Sequence, residues 1–228
     1  MEFRERFMNY ELTNLPEKPE QEDQVEQLED GVIREFIGVQ EDFAEMPEQT
    51  DAVVGTLEDI ENWHPQAESM SCAVSVQELI AEQLLDQEVS EGAVIDFAEQ
   101  AGWYDPVEGT TLANTGKVLE AMGLEVERDY DATVSDLMQA LADGEKIICA
   151  VDNMILQDAR FADMPGRRAN HAVQLVAIDF SDPENPQAIL NDTGVLNGQG
   201  IRHDLDVFLT AWKTSGNFAV FAGKGEAA

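Results

Sequence analysis

A change of hydrophobic period near Lys146 is the feature that most constrains the fold of this chain. Before it, four segments have apolar residues at helical spacing, and three of them stop at a glycine suited to the left-handed position after a helix: Gly102, Gly123 and Gly144. After it come short β-branched or aromatic runs, KIICAVD, HAVQLVAIDF, QAILND and NFAVFAG, separated by Asn, Asp, Pro and Gly. This order predicts an α+β fold in which a helical half packs against an antiparallel sheet.

The helical segments after the first are expected around Ala93–Ala98, over Leu112–Met122 and over Val134–Ala142, with a last helix over Asp204–Lys213. Thr133 with Asp136 resembles a capping box, in which each residue satisfies a backbone N–H of the other. The helical spacing predicts that these segments bury Val94, Ile95, Phe97, Val118, Leu119, Met122, Leu137, Met138 and Leu141.

Cys72 stands at the start of the first helical segment, directly after the polar loop WHPQAESMS. Ser69 or Ser71 can cap that helix, and the free N–H groups and dipole at a helix start favour a thiolate over a thiol. A lone cysteine in an amphipathic helix is otherwise a small buried residue, so its partners decide whether it is a nucleophile. Cys149 lies inside a buried-strand pattern and is expected to be inert packing. Both cysteines are expected to be free thiols.

His171 and Asp192 are predicted to meet across a hairpin. His171 opens the strand HAVQLVAIDF and Asp192 closes the strand AILND, and if the two residues face each other the midpoint falls at residues 181–182, inside the predicted turn. An acid beside a histidine fixes its tautomer, and a protonated histidine beside Cys72 stabilises the thiolate. Gln66, in the loop before Cys72, can donate to an oxyanion together with the backbone N–H of Cys72.

Each of these residues has an ordinary explanation when it is taken alone. A histidine at a strand edge is usually solvated, an aspartate after a strand usually starts a turn, and the chain contains many glutamines. The order Gln, Cys, His and Asp, with the cysteine entering a helix and the other two on paired strands, favours a papain-like site. The alternative, from a different class of protein, is a catalytically inactive module that keeps the fold and binds a peptide or protein tail.

The segments QAESMSCAVS, ANHAVQLVAID and AILNDTG resemble the bacteriocin-processing, double-glycine-leader peptidase family of papain-like cysteine peptidases, over about residues 60 to 224. The resemblance implies a papain-like fold and thiol-dependent hydrolysis of a peptide or isopeptide bond, with a peptide or protein as substrate and no cofactor. It implies Cys72 as nucleophile, His171 as general base and acid, Asp192 as its orienter and Gln66 as oxyanion donor.

The sequence departs from that family's processing enzymes in two ways. Ser71 and Ala73 flank the cysteine, where those enzymes usually have an acidic residue and a glycine. They are also usually fused to a membrane transporter, which this sequence does not contain. The resemblance is therefore strongest to stand-alone members and, given the charge described next, to a haloarchaeal type.

The net charge of −34, from 47 acidic and 13 basic residues, points to a protein adapted to high salt. Such a surface repels itself, and concentrated salt removes most of that cost by shortening the Debye length to ~3 Å at 1 M. The charge is spread along the chain, which disfavours a single docking patch for a basic partner. Nucleic acid is repelled by it, so nucleic-acid binding is not expected.

Residues 1–50 are expected to be an acidic, loosely ordered extension whose GVIREFIGV segment can still pack on the domain, followed by a peptidase domain at 51–224 and a tail at 225–228. The absence of a signal peptide and of any ~20-residue apolar run predicts a cytoplasmic protein without a membrane partner. The oligomeric state is open. The spacing of His64 and His203 does not suggest a metal site, so His64 is expected at the rim of a cleft and His203 at the surface or as a cap.

Overall fold

The computed structural model describes residues 52 to 224. The predicted extension at 1–50 with its GVIREFIGV segment, and the tail at 225–228, lie outside the described residues, so both stay predictions.

Helices and strands alternate along the described part of the chain. The helices are α1 Cys72–Leu85, α2 Glu91–Gln100, α3 Lys117–Ala121, α4 Val134–Ala142, α5 Asn153–Gln157 and α6 Leu205–Lys213, with short 3-10 segments at Leu57–Asn62, Leu112–Asn114 and Ala159–Asp163. The strands are β1 Val53–Gly55, β2 Glu125–Asp129, β3 Lys146–Val151, β4 His171–Asp179, β5 Gln187–Asn191, β6 Ile201–Asp204 and β7 Ala219–Gly223. Between residues 52 and 224, none of the helices combines the length and apolar character that crossing a membrane requires.

All seven strands form one antiparallel sheet with the order β2-β7-β3-β4-β5-β6, and β1 also pairs with β4. β4 is the long central strand: β3 pairs with its first half at residues 171–175, and β1 pairs with its second half at residues 177–179. Every residue of β3 and seven of the nine in β4 are buried, as expected for strands covered on both faces.

The helices cover both faces of this sheet, so alternate residues of each strand enter different cores. On one face, α1 and α3 pack against Ile148, Ala150 and Ala172. On the other, α4, α5 and α6 pack against Ile147, Cys149 and neighbouring side chains. The predicted α+β class is confirmed, but α4, assigned from sequence to the helical half with α1, lies on the opposite face of the sheet.

A buried polar network joins α1 to the central strands. Gln83 of α1 and Gln174 of β4 exchange side-chain hydrogen bonds of 3.1 and 2.6 Å. Asn191 of β5 donates to Gln174 Oε1 at 3.1 Å and to the carbonyl of Asp59 at 2.9 Å, and the Asp59 carboxylate pairs with Lys146 of β3. Because buried amides need fixed partners, this network sets the position of α1 over β4 and β5.

The helix-ending glycines are confirmed. Gly102, Gly123 and Gly144 all follow a helix closely and have positive φ values of 72°, 85° and 81°. The capping box of Thr133 and Asp136 is also present at the start of α4, with both reciprocal hydrogen bonds formed. The sequence therefore predicts the glycines that end α2, α3 and α4 and the capping box that begins α4.

Two details of the helical prediction were wrong. The helix expected over Leu112–Met122 begins only at Lys117, because residues before it form a 3-10 turn and Gly116 adopts a left-handed conformation with φ of 90°. Phe97, expected to be buried, is 45% exposed on α2 and contacts Trp103 edge to face. The apolar face of α2 is narrower than the sequence pattern suggested, and Ala98 rather than Phe97 enters the core.

Candidate active site

Cys72 is the first residue of α1, as the sequence predicted, and its side chain is partly exposed. Ser71 is the N-cap residue, but its hydroxyl makes no capping bond to the helix. It donates instead to the carbonyl of Glu68 at 3.0 Å and lies 3.2 Å from the Ser75 hydroxyl. The proposed side-chain cap is therefore wrong, while the helix start still places its dipole and N–H groups around the thiol.

His171 and Asp192 are brought together at the open end of the β4–β5 hairpin. His171 Nε2 lies 2.7 Å from Asp192 Oδ1, and both side chains are largely buried. The backbone N–H of Gly194 donates to the same carboxylate oxygen at 2.8 Å. The carboxylate therefore has fixed partners, and the imidazole ring is held in one orientation.

The predicted hairpin forms, but its register differs from the prediction. Gln174 pairs with Asn191, and a bulge between Leu175 and Ala177 shifts the pairing by one residue toward the turn. His171 is therefore not directly opposite Asp192; its ring lies against Gly194, where an added Cβ would be 2.7 Å from His171 Cε1. The pairing of Asp179 with Gln187 centres the turn at residue 183 rather than at 181–182, which explains the error, because the apolar pattern of the strands does not fix the exact centre of the turn between them.

Cys72 lies close enough to His171 for the two side chains to interact, and since Nε2 faces Asp192, Nδ1 is the ring nitrogen left for the thiol. Burial alone would raise the pKa of Cys72, but the hydrogen bond and charge of His171, with the N–H groups of Ala172 and Ala73, bring the pKa below its usual value. Burial would lower the pKa of His171, but hydrogen bonds to Asp192 and Cys72 outweigh burial and raise it to about 10. These directions favour a thiolate–imidazolium pair.

The pKa of Asp192 completes this electrostatic arrangement. Burial alone would raise it, but the hydrogen bond and charge of His171 and the N–H of Gly194 hold it below its usual range. Asp192 thus stays ionised beside a protonated imidazole. Cys72, His171 and Asp192 thus lie in series, with the imidazole hydrogen-bonded to Asp192 and interacting with the thiol of Cys72.

Gln66 lies in the loop before α1 and is tied to the residue after Asp192. Its backbone N–H donates to the carbonyl of Thr193 at 2.9 Å, and its Oε1 accepts from the Thr193 hydroxyl at 3.3 Å. Its Nε2 donates to the carbonyl of Glu68 at 2.7 Å. An amide nitrogen carries two N–H donors, so one remains for another acceptor in this conformation.

Sequence reasoning missed three residues that shape this site. Trp63 Nε1 donates to the carbonyl of Asp192 at 2.8 Å, across 129 positions of sequence. A Cβ at Gly194 would crowd His171, and a Cβ at Gly198 would overlap the Asp192 carbonyl at 1.9 Å. The motif NDTG after a strand signals a tight turn, so the need for Gly194 had a sequence signal; the contact of Trp63 had none.

Of the remaining cysteine and histidines, His203 lies close enough to Asp192 for their charges to interact, whereas Cys149 and His64 have other neighbours. Cys149 is buried in β3, and burial raises the pKa of its thiol, consistent with the predicted inert packing. His203 is half-buried on β6 with a pKa lowered by burial, and His64, expected at the rim of a cleft, binds the buried Glu78. The described residues contain no group of three or more His, Cys, Asp or Glu side chains arranged to hold a metal ion.

Neither the protein-family models nor the curated proteins include a match to this sequence. Solved structures do match. The peptidase domain of ComA from Streptococcus, a bifunctional ABC transporter of a quorum-sensing pathway, is 16% identical with a TM-score of 0.50, over 72% of this chain and 98% of that one.

Two further structures agree with this match. A C39-like peptidase from Bacillus anthracis is 11% identical with a TM-score of 0.56, over 78% of this chain and 100% of that one. The proform of Amb a 11, a cysteine protease of ragweed pollen, is 12% identical with a TM-score of 0.51, over 81% of this chain and 70% of that one. The chain therefore has the papain-like cysteine protease fold, in the arrangement shared with C39-like peptidase domains.

Proposed function

We propose that this protein is a cysteine peptidase that hydrolyses a peptide or isopeptide bond. Cys72 is the nucleophile, His171 the general base and acid, Asp192 the residue that orients His171, and Gln66 an oxyanion donor. The observation that carries the proposal is the position of Cys72 at the start of a helix, within reach of His171, whose ring is hydrogen-bonded to Asp192. The fold, shared with cysteine peptidases, supports it.

In the first half of the reaction, the Cys72 thiolate attacks the carbonyl carbon of the scissile bond and the carbonyl oxygen becomes an oxyanion. The imidazolium of His171 then donates its proton to the departing amine as the C–N bond breaks. An acyl group remains on Cys72 as a thioester. Since the thiolate and imidazolium are favoured before substrate binds, no separate base is needed to activate the nucleophile.

In the second half, the now neutral His171 takes a proton from water, and the resulting hydroxide attacks the thioester. The C–S bond breaks, the acid product leaves and the thiolate–imidazolium pair is restored. Asp192 keeps the ring aligned through both steps because its other partners hold it in place. This cycle needs no cofactor.

Two donors are proposed to stabilise the oxyanion: the backbone N–H of Cys72, at the first position of α1, and Nε2 of Gln66. For this role, one N–H of the Gln66 amide must point toward the oxyanion while the other bonds to the carbonyl of Glu68. The contacts of Gln66 with Thr193 support this role, because they tie the donor to the loop that follows Asp192.

The proposed substrate is a peptide or a protein tail. The proposed enzyme is a C39-like member of this fold that works in a cytosol of high salt. The net charge of −34 supports the high-salt setting and disfavours nucleic acid as a partner. Ser71 and Ala73 differ from the residues usual in leader-processing enzymes, so a substrate without a double-glycine leader is included in the proposal.

The test compares hydrolysis of a peptide library in molar KCl by wild type, Cys72→Ala and Cys149→Ala. Cys72→Ala should abolish hydrolysis and acyl-enzyme trapping with little loss of stability, because its side chain is partly exposed. Cys149→Ala should keep the activity but lower the melting temperature, because it removes a fully buried side chain from the core. Comparing the two variants separates the loss of the nucleophile from the loss of a buried side chain in the core.

A second measurement, the rate of alkylation by iodoacetamide near neutral pH, does not depend on finding a substrate. Cys72 should react far faster than Cys149, whose thiol is buried with a raised pKa. A wild-type protein that hydrolyses no peptide and alkylates Cys72 no faster than Cys149 would contradict the proposal and support the inactive, peptide-binding module instead.

A further inference from the structure

Two carboxylates, one from α1 and one from α2, hold the loop that carries Gln66. Glu78 of α1 accepts from His64, with 2.7 Å between Oε2 and Nε2. Glu91, the first residue of α2, accepts from the backbone N–H of Ala67 at 3.0 Å and also from the hydroxyl of Ser75. These bonds fix the chain on both sides of Gln66, two residues before it and one residue after it.

Glu78 is not needed to complete an apolar face of α1. It is 1% exposed, and its carboxylate is hydrogen-bonded to His64 of the loop. Burying a carboxylate is unfavourable unless it is paired, so the bond to His64 ties the loop to α1. The other side of the same loop is held by the two bonds of Gln66 to Thr193.

We propose that Glu78, His64 and Glu91 are positioning residues that hold the Gln66 loop in its reactive place, and that protonation of Glu78 loosens this loop. The inference rests on the proposed peptidase function for its kinetic consequence, though its structural part can be measured without a substrate. None of the three residues touches the reacting atoms; they act through the oxyanion donor.

The charged groups facing Glu78 are His64 from the loop, Glu82 from its own helix and Glu91 from α2. Burial raises the pKa of Glu78 to about 7, against the opposing hydrogen bond and charge of His64. Burial would lower the pKa of His64, but the hydrogen bonds to Glu78 and to the carbonyl of Pro65 outweigh it, so the net direction is upward. The pair therefore changes its charge within the neutral range.

The sign of the effect follows from these directions. Above about pH 7 Glu78 is ionised and its carboxylate accepts from His64; as the pH falls through about 7 it gains a proton, so the pair loses its anionic acceptor and the attraction between loop and helix weakens. The pKa of Cys72 is shifted below its usual value, in the direction that favours the thiolate. The alkylation rate of Cys72 over the same pH range therefore serves to separate titration of the thiol from loosening of the loop.

The experiment measures hydrogen–deuterium exchange of the peptide covering residues 63–71 between pH 5.5 and 8.5 in molar KCl, each rate being divided by that of the unfolded chain at the same pH. In wild type the corrected exchange should rise at least threefold as the pH falls through 7. Glu78→Ala should raise it about tenfold at every pH. Glu78→Gln should restore most of the protection and remove the pH dependence, because its amide oxygen still accepts from His64 but does not titrate.

Glu82→Gln is the matched control for loss of a carboxylate from the same helix, since Glu82 accepts from the N–H of Val89, away from the loop, although its charge also raises the pKa of Glu78. At pH 8.5, where Glu78 is ionised in either protein, it should leave the exchange of residues 63–71 within twofold of wild type. In parallel, Glu78→Ala should lower the rate of peptide hydrolysis at least tenfold while the alkylation rate of Cys72 stays within twofold.

Two results for Glu78→Ala would overturn the inference. The exchange of residues 63–71 could stay within twofold of wild type, or exchange could rise equally throughout residues 52–224. A wild-type loop whose corrected exchange does not change with pH would also overturn it. If wild type hydrolyses no peptide, the proposed function fails, and the exchange measurement still decides whether the three residues hold the loop.

Discussion

Gly194 is the residue whose replacement should disturb the proposed site most directly without touching a reactive atom. A Cβ there would lie 2.7 Å from His171 Cε1 and 3.3 Å from Asp192 Oδ1, so the imidazole or the loop must move. We expect Gly194→Ala to lower kcat at least tenfold, because misalignment of a general base by a fraction of an ångström is costly. The rate of hydrolysis at saturating substrate measures this.

Gly92→Ala provides the control for that substitution. Gly92 lies in α2 with no atom within 4 Å of an added Cβ, so alanine should fit there and stabilise the helix by roughly 0.5–1 kcal/mol. Its kcat should match wild type. Equal kcat values for Gly194→Ala and wild type would mean that the contact between Gly194 and the ring of His171 has no bearing on the reaction.

The sequence predicted the Cys72, His171 and Asp192 arrangement because each of these residues stands at the end of an element with a clear period. Glu78 was not predicted, since α1 is buried on most of its surface and a carboxylate inside such a helix has no signature that separates it from an exposed one. The partner of Trp63 is also unreadable, because that contact depends on how two distant loops meet.

The described helices begin with different caps, and α4 begins with a complete capping box. The hydroxyl of Thr133 accepts from the N–H of Asp136 at 3.2 Å, and the Asp136 carboxylate accepts from the N–H of Thr133 at 2.8 Å. Thr133→Ala should lower the free energy of unfolding by about 1 kcal/mol, and Thr133→Ser should recover most of it. Urea unfolding at a fixed KCl concentration measures both.

Thr111 is the matched position for this prediction, because it precedes a 3-10 turn but its side chain makes no capping bond. Thr111→Ala should change the free energy of unfolding by less than about 0.5 kcal/mol. A loss as large as that of Thr133→Ala would show that removing a threonine hydroxyl, rather than breaking the capping box, accounts for the effect.

Strands were predicted less completely than helices. β3, β4, β5 and β7 were found because they are buried, apolar runs, whereas β2, with the sequence EVERD, is an exposed edge strand whose charged residues carry no strand signal. β1 and β6 are only three and four residues long. Their place in the sheet depends on pairing with β4 and β5, which no local pattern encodes.

At the scale of the whole molecule, uncompensated negative charge opposes folding. Six basic residues of the described chain form ion pairs with carboxylates (Lys117, Arg128, Lys146, Arg160, Arg167 and Arg202). Carboxylates instead gather at one end of the sheet, where burial and the charges of Asp143, Glu127 and Glu125 raise the pKa of Glu145. Such clusters require screening by dissolved ions.

The melting temperature should therefore rise with KCl concentration, most steeply between dilute buffer and about 1 M, where the Debye length falls from ~30 Å at 0.01 M to ~3 Å. Sucrose, which favours compact states without screening charge, should not reproduce the steep initial rise. A melting temperature that does not depend on KCl would contradict both the charge argument and the proposed high-salt setting.

Trp63 gives the proposed site its own spectroscopic signal. The chain has three tryptophans; Trp212 is buried and stacked on Phe208, and Trp103 packs against Phe97, so their emission reports on the helical cores. The indole of Trp63 is bonded to the Asp192 carbonyl and stands three residues before Gln66. Its fluorescence therefore depends on the contact between the Gln66 loop and the Asp192 loop, and a change in that contact can be followed by tryptophan emission.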